Sequence, residues 1–497
     1  MSLKDFKTGE DNSDGISDEY DSPQDRKLLR KVDLRTNIGN ARIDGLTKDL
    51  HISPSAYNTA LALYFIAYVT FEVPANIILK RFDPQLWLPP LTFAWGVASV
   101  AQGLVTNQAG LFGIRVPADM FDTNSQVLGV TEAGLFPGVI FIFSVYYLRR
   151  ERHWRVAIFF GGAALAGAFG GHAQQPRQYP GIFAYVIGKM EGVGGKRGWQ
   201  WIFILEGLLT ILISVLAFFF VPTWPQKAKW LTDAERSRLL ARLDADSDAA
   251  EQEKFAWEYV SQAVLDPLVW GYALLFHGFA FTLLRNLESA AVVSPDSFID
   301  FFFFLNDVLR MTVPPNALAS IGIAFGAWLA ARTGRRAPLI IGSAVVAIIG
   351  YIVLLTTETH LTSGPNDIAG AQYAGVHFAA LGIYTGNALL LSWPSENISG
   401  QTKRAVGVAM QITIGDLGAV TGVLLYRPAF SAHRFRKPHI IAIGYLTFAI
   451  IVASALWHSM ASENRRRTEI IAAGKDEVER ETKVLLGDRE VHWRYRV

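Results

Sequence analysis

A chain of 497 residues is long enough for two or three soluble domains, but its composition excludes that division. Apolar residues make up 51% and charged residues only 18%, below the ~25% of a soluble domain. A formal charge of +2 excludes an electrostatic partnership with nucleic acid, and the absence of cysteine excludes disulfides and thiolate metal sites.

Residues 1–25 are acidic and poor in apolar side chains, and are expected to be disordered. A helix needs about 20 mostly apolar residues to cross a bilayer. Segments of that kind lie at 57–79, 86–105, 127–148, 157–171, 199–221 and 268–284, the fourth of them short. Five more follow at 313–331, 339–356, 373–393, 405–426 and 439–460, which makes eleven predicted spans. The chain therefore reads as an all-α, polytopic membrane protein whose solvent is the lipid bilayer. It divides into an N-terminal helix bundle over 26–221, a polar central loop over 222–265, a C-terminal bundle over 266–460 and a solvated helical tail over 461–497. In the central loop, Thr232 followed by Glu235 predicts a capped helix start. No apolar leader precedes the first span.

Basic clusters mark orientation, because short cytoplasmic loops concentrate Lys and Arg. They occur at Lys80-Arg81, Arg149-Arg150-Glu151-Arg152, Arg332 to Arg336, Lys403-Arg404 and Arg465-Arg466-Arg467. All fall on one side, which places the tail in the cytoplasm; the basic loop 427–437 is out of phase.

Ionisable groups inside spans are costly and point to function. Glu132 lies in Gly129-Val130-Thr131-Glu132-Ala133-Gly134-Leu135-Phe136-Pro137-Gly138, and Glu72 precedes Pro74 and Asn76. A carboxylate in low dielectric holds its proton more readily, so each is a candidate for taking up and releasing a proton near neutral pH. The competing reading is a structural glutamate bonded to a neighbouring helix, and for Glu72 also a gating or packing role. His277, within an apolar span, is a substrate-binding candidate whose bland reading is a packing histidine. Asn397, at the end of a span, is another such candidate and belongs to a glycosylation sequon on the expected cytoplasmic side. Gly192-Val193-Gly194-Gly195-Lys196 lacks phosphate-loop spacing and reads as a flexible loop. Nothing in the sequence implies an enzyme, a metal or another cofactor.

The chain resembles the fungal allantoate permease family of anion:cation symporters, within the major facilitator superfamily. The resemblance rests on Thr36-Asn37-Ile38-Gly39-Asn40-Ala41, Phe71-Glu72-Val73-Pro74-Ala75-Asn76, Glu132-Ala133-Gly134-Leu135-Phe136-Pro137-Gly138 and Gly198-Trp199-Gln200-Trp201-Ile202-Phe203-Ile204-Leu205-Glu206-Gly207. Thr402-Lys403-Arg404-Ala405 and Glu463-Asn464-Arg465-Arg466-Arg467 complete it. It implies two six-helix bundles around a central site and proton-coupled uptake of a small organic anion, such as an allantoate-, nicotinate- or vitamin-like carboxylate. It further implies a monomer in the plasma membrane. Arg35 matches the arginine of the family's first motif and, with Arg115 near the Glu132 helix, is a candidate partner for the substrate carboxylate. Lys80, Arg81, Arg332, Gly334, Arg335 and Arg336 correspond to gating loops, although Ala331 stands where the family has an aspartate.

The chain also departs from this pattern. The family's first span is missing before Arg35, polar insertions interrupt helices at 117–126 and 172–180, and 285–310 replaces the end of another. A transcript with a skipped exon and retained intron segments would produce these interruptions. A second expectation is therefore a non-transporting relative or membrane sensor that binds without cycling.

Overall fold

The computed structural model describes residues 54–105, 129–170, 187, 190, 192–246, 255–283, 307–357, 365–425, 436–473, 488 and 491–497. The expected missing span, the interruptions at 117–126 and 172–180, and both Arg35 and Arg115 lie outside the described residues. So does most of 285–310, although its last four residues already belong to a helix.

The described residues contain helices and turns and no strand. Before the central loop come α1 (Pro54–Arg81), α2 (Pro84–Gly103), α3 (Gly129–Tyr146), α4 (Arg149–Gly170) and α5 (Gly198–Phe220). The loop holds α6 (Asp233–Asp246) and α7 (Trp257–Leu265). After it come α8 (Pro267–Leu283), α9 (Asp307–Thr333), α10 (Ala337–Thr356), α11 (Pro365–Asn397), α12 (Gln401–Leu425) and α13 (Arg436–Ala472). Each of the eleven predicted spans coincides with one of these helices. By length and apolar content alone, six of them qualify as spans: α3, α5, α10, α11, α12 and α13. The pair α7–α8, bent by 60°, makes a seventh if counted as one. The short span at 157–171 is lengthened at its start by a basic turn, since α4 begins at Arg149.

Local chemistry explains the boundaries. Pro84 opens α2 where a missing N–H costs nothing, after Asp83 in extended backbone. Thr232 and Glu235 form the expected reciprocal cap at the start of α6: Glu235 N–H donates to Thr232 Oγ1 at 3.3 Å, and Thr232 N–H to Glu235 Oε2 at 2.9 Å. The Gly192–Lys196 stretch is a tight turn with left-handed glycines, as a loop requires.

Small residues set the helix spacing, because packing between apolar helices in lipid depends on close approach. A Cβ on Gly207 of α5 would lie 2.8 Å from Val100 N and 2.9 Å from Gly96 O of α2. A Cβ on Gly418 of α12 would lie 2.4 Å from His277 O of α8. The outer face of α5 leaves Leu208, Leu209, Leu212 and Phe219 exposed, which suits acyl chains. Between the halves, α12 runs against α1 and α3, while α4 runs against α9 and α11. These two seams join the halves.

One expectation is overturned here. The segment 461–497 is not a uniformly solvated helical tail. The helix ends at Ala472, and 491–497 is non-helical and packed into the basic end of the bundle, with Val491 and Tyr495 buried.

Candidate functional site

Three carboxylates converge where α1, α3 and α12 meet. Glu72 is fully buried on α1, and its Oε2 accepts a hydrogen bond from Thr413 Oγ1 of α12 at 2.7 Å. Its Oε1 is buried and has no hydrogen-bond partner among the described residues. Asp416, one turn beyond Thr413, feels the charge of Glu132 on α3, and Glu72 in turn feels that of Asp416. Among the described residues no group of side chains has the arrangement to hold a metal ion. The junction joins helices from opposite halves, α1 and α3 from the first and α12 from the second.

A second constellation closes the basic end. From the first half, Arg149 Nε donates to Glu396 O at 2.5 Å, and Arg152 Nη1 donates to Ser395 O across the same seam. Arg152 Nε also donates to Tyr147 O at 2.9 Å. Within the second half, Arg336 Nη2 pairs with the Glu396 carboxylate at 3.2 Å, both side chains being almost wholly buried. Lys403 Nζ lies 2.6 Å from both Asp266 and Asp488. Burial and the neighbouring Asp266 push the Asp488 carboxyl above the ordinary range, against the pull of Lys403. Arg242 of α6 pairs with Glu151, fastening the central loop to α4. In the basic clusters that signal orientation, Lys80, Arg149, Arg152, Arg336, Lys403, Arg404 and Arg467 are buried structural ties, whereas Arg81, Arg332, Arg335, Arg465 and Arg466 stay exposed.

The predicted residues separate between these places. Glu72 and Glu132 come together at the junction. His277 Nδ1 hydrogen-bonds Ile414 O at 2.8 Å and its ring lies 5.7 Å from that of Tyr445, a packing arrangement between α8, α12 and α13. Asn397 lies at the basic end, bound to Tyr272 Oη at 2.9 Å and to the backbone of Arg496. Lys80 Nζ donates to Gln401 Oε1 at 2.5 Å, and Arg81 stacks over Phe255 at 4.2 Å. Of the second gating loop, Arg336 is buried, whereas Arg332 lies over Trp328 at 4.7 Å and Gly334 and Arg335 are exposed. Asp416 and Thr413 join the junction without having stood out as candidates in the sequence. Asp416 was findable as an ionisable residue inside the predicted span 405–426; Thr413 carries no signal until its helix is placed against α1.

Comparison with known proteins agrees with this architecture. Residues 35–423 match the family model described as Major Facilitator Superfamily. The MFS-type transporter cnsO of Penicillium expansum is 30% identical over 89% of this chain and 85% of its own. The major facilitator-type transporter hxnP of Emericella nidulans is 26% identical over 96% and 94%. The structure of the proton:xylose symporter XylE bound to 6-bromo-6-deoxy-D-glucose superposes with a TM-score of 0.57 at 15% identity, covering 89% of this chain and 93% of that one. At that identity the likeness concerns the fold.

Proposed function

The chain belongs to the Major Facilitator Superfamily, and on that premise we propose that it imports a small organic anion together with a proton. The observation that carries this reading is the meeting of Glu72, Asp416 and Glu132 on helices from both halves. A proton bound there lowers the repulsion that an incoming anion meets, and its release restores the charge that expels the anion. The anion class rests on the resemblance to the allantoate permease family, with Arg35 and Arg115 as the cationic partners. The basic end faces the cytoplasm, by the charge rule, in a plasma-membrane monomer. Arg149 and Arg152 are bonded across the seam at the basic end, and on this reading import requires these bonds to part.

Uptake of a labelled carboxylate panel into proteoliposomes, with and without an acid-outside gradient, tests the proposal. The expected result is gradient-driven accumulation of at least one anion, lost in Asp416→Asn or Glu132→Gln while exchange without a gradient survives. Equal accumulation with and without the gradient would falsify the coupling. Ala331 in place of the gating-loop aspartate favours the second reading, a binder that does not cycle. Saturable binding with no counterflow would decide for it.

A further inference from the structure

The segment 491–497 is held in a manner its composition does not foretell. Two asparagines each grip both backbone groups of one tail residue. Asn397 Oδ1 accepts from Arg496 N–H at 2.7 Å and its Nδ2 donates to Arg496 O at 3.0 Å. Asn464 Oδ1 accepts from Tyr495 N–H at 2.9 Å and its Nδ2 donates to Tyr495 O at 2.8 Å. Trp393 Nε1 donates to Arg496 O at 2.7 Å, Arg467 Nη1 to Trp493 O at 2.9 Å, and Arg336 N–H to Val497 O at 3.0 Å. All these hosts lie on α10, α11 and α13 or at their ends, in the second half.

The first half also reaches the segment. Arg149 Nη2 donates to Arg494 O at 2.7 Å, and its guanidinium lies 4.1 Å from the centre of the Trp493 ring. The same arginine bonds Glu396 O across the seam. One cation of the first half is therefore engaged at once by the second half and by a peptide docked on the second half. Parting the halves at this end requires Arg149 to leave Trp493 and Arg494 as well as Glu396.

We propose that residues 491–497 form an intramolecular clasp that keeps the basic ends of the two halves together, so that this face opens freely only when the segment undocks. The recognition is mostly of backbone amides, so the segment should also dock as a separate peptide. The inference presupposes only that the halves move apart at this end. It stands or falls independently of the cargo and of proton coupling.

The cysteine-free chain allows a direct test. Spin labels on Lys229→Cys, exposed in the central loop that Arg242 fastens to Glu151 of the first half, and on Ala331→Cys, exposed in the second half, report the separation of the basic ends by pulsed dipolar spectroscopy in the full chain. Deleting 491–497 is expected to shift the distance distribution to longer separations, Trp493→Ala to shift it part of the way, and a synthetic peptide of residues 488–497 to reverse the deletion. A distribution unchanged by both variants overturns the clasp. So does a shift that the peptide does not reverse, since that outcome reports damaged packing instead of a released strap.

Discussion

The carboxylate junction and the basic end lie on the same interface but are built on opposite electrostatic terms. At the basic end cations meet carbonyl oxygens and carboxylates: Arg149 and Arg152 are bonded across the seam, Arg336 is paired with Glu396, and Lys403 with two aspartates. At the junction the charges share one sign, and Glu72 leaves an oxygen without a hydrogen-bond partner among the described residues. The first arrangement is at rest and must be broken to move. The second, in the coupling proposed here, is eased by a proton. A transporter needs both, one to hold a conformation and one to make its relative energy depend on what is bound.

The sharpest way to break this contrast is at the basic end. Arg336→Met leaves the buried Glu396 carboxylate without its cation, which costs on the order of 3–5 kcal/mol. A clear fall in the thermal unfolding midpoint is expected, and Arg336→Met with Glu396→Gln should recover most of it. An intermediate effect comes from Thr413→Val, which removes the hydroxyl between the halves at the junction. A hydrogen bond to a charged group contributes about 1.5–3 kcal/mol, so the variant should lose stability at neutral pH. If Glu72 is already protonated there, the loss measured by the same unfolding assay drops to that of a neutral bond, about 0.5–1.5 kcal/mol.

A smaller effect concerns Asp488, whose pKa is raised in the docked tail by burial. The docked form then binds a proton that the free tail has released. Docking therefore strengthens as pH falls from neutrality through the raised pKa, and stops gaining below the ordinary carboxylate value of ~3.9. Lys403, Asp266, Arg467 and Tyr495 face this group, and Asp266 adds to the excess negative charge. Limited proteolysis of the tail across that pH range checks the sign, and Asp488→Asn should flatten the profile.

Much of the fold was legible because apolar length is a local property: every predicted span falls on a helix, and the Thr232–Glu235 cap forms as spaced. Half of the junction was legible too, since Glu72 and Glu132 stand out against apolar neighbours. Asp416 obeys the same rule, lying between Gly415 and Gly418 inside the predicted span 405–426. The fate of the basic clusters was not legible. Lysine and arginine near a helix end look solvated, and only the fold supplies Glu396 to Arg149 or Asp488 to Lys403. The tail is the extreme case, because its docking uses backbone atoms that every sequence possesses.

Helices α1 and α12 are joined by two side-chain bonds described above, Lys80 to Gln401 and Glu72 to Thr413. Measured along α12 the two joints are about 18 Å apart, twelve residues at ~1.5 Å each. A helix of that length behaves as a stiff rod. In the coupling proposed above, a proton on Glu72 weakens the inner joint and leaves the outer one in place, so α12, moving with the α8 it is packed against at Gly418, tilts from α1 about Gln401. On that proposal a chemical event no larger than one proton becomes a rotation, delivered without any helix having to bend.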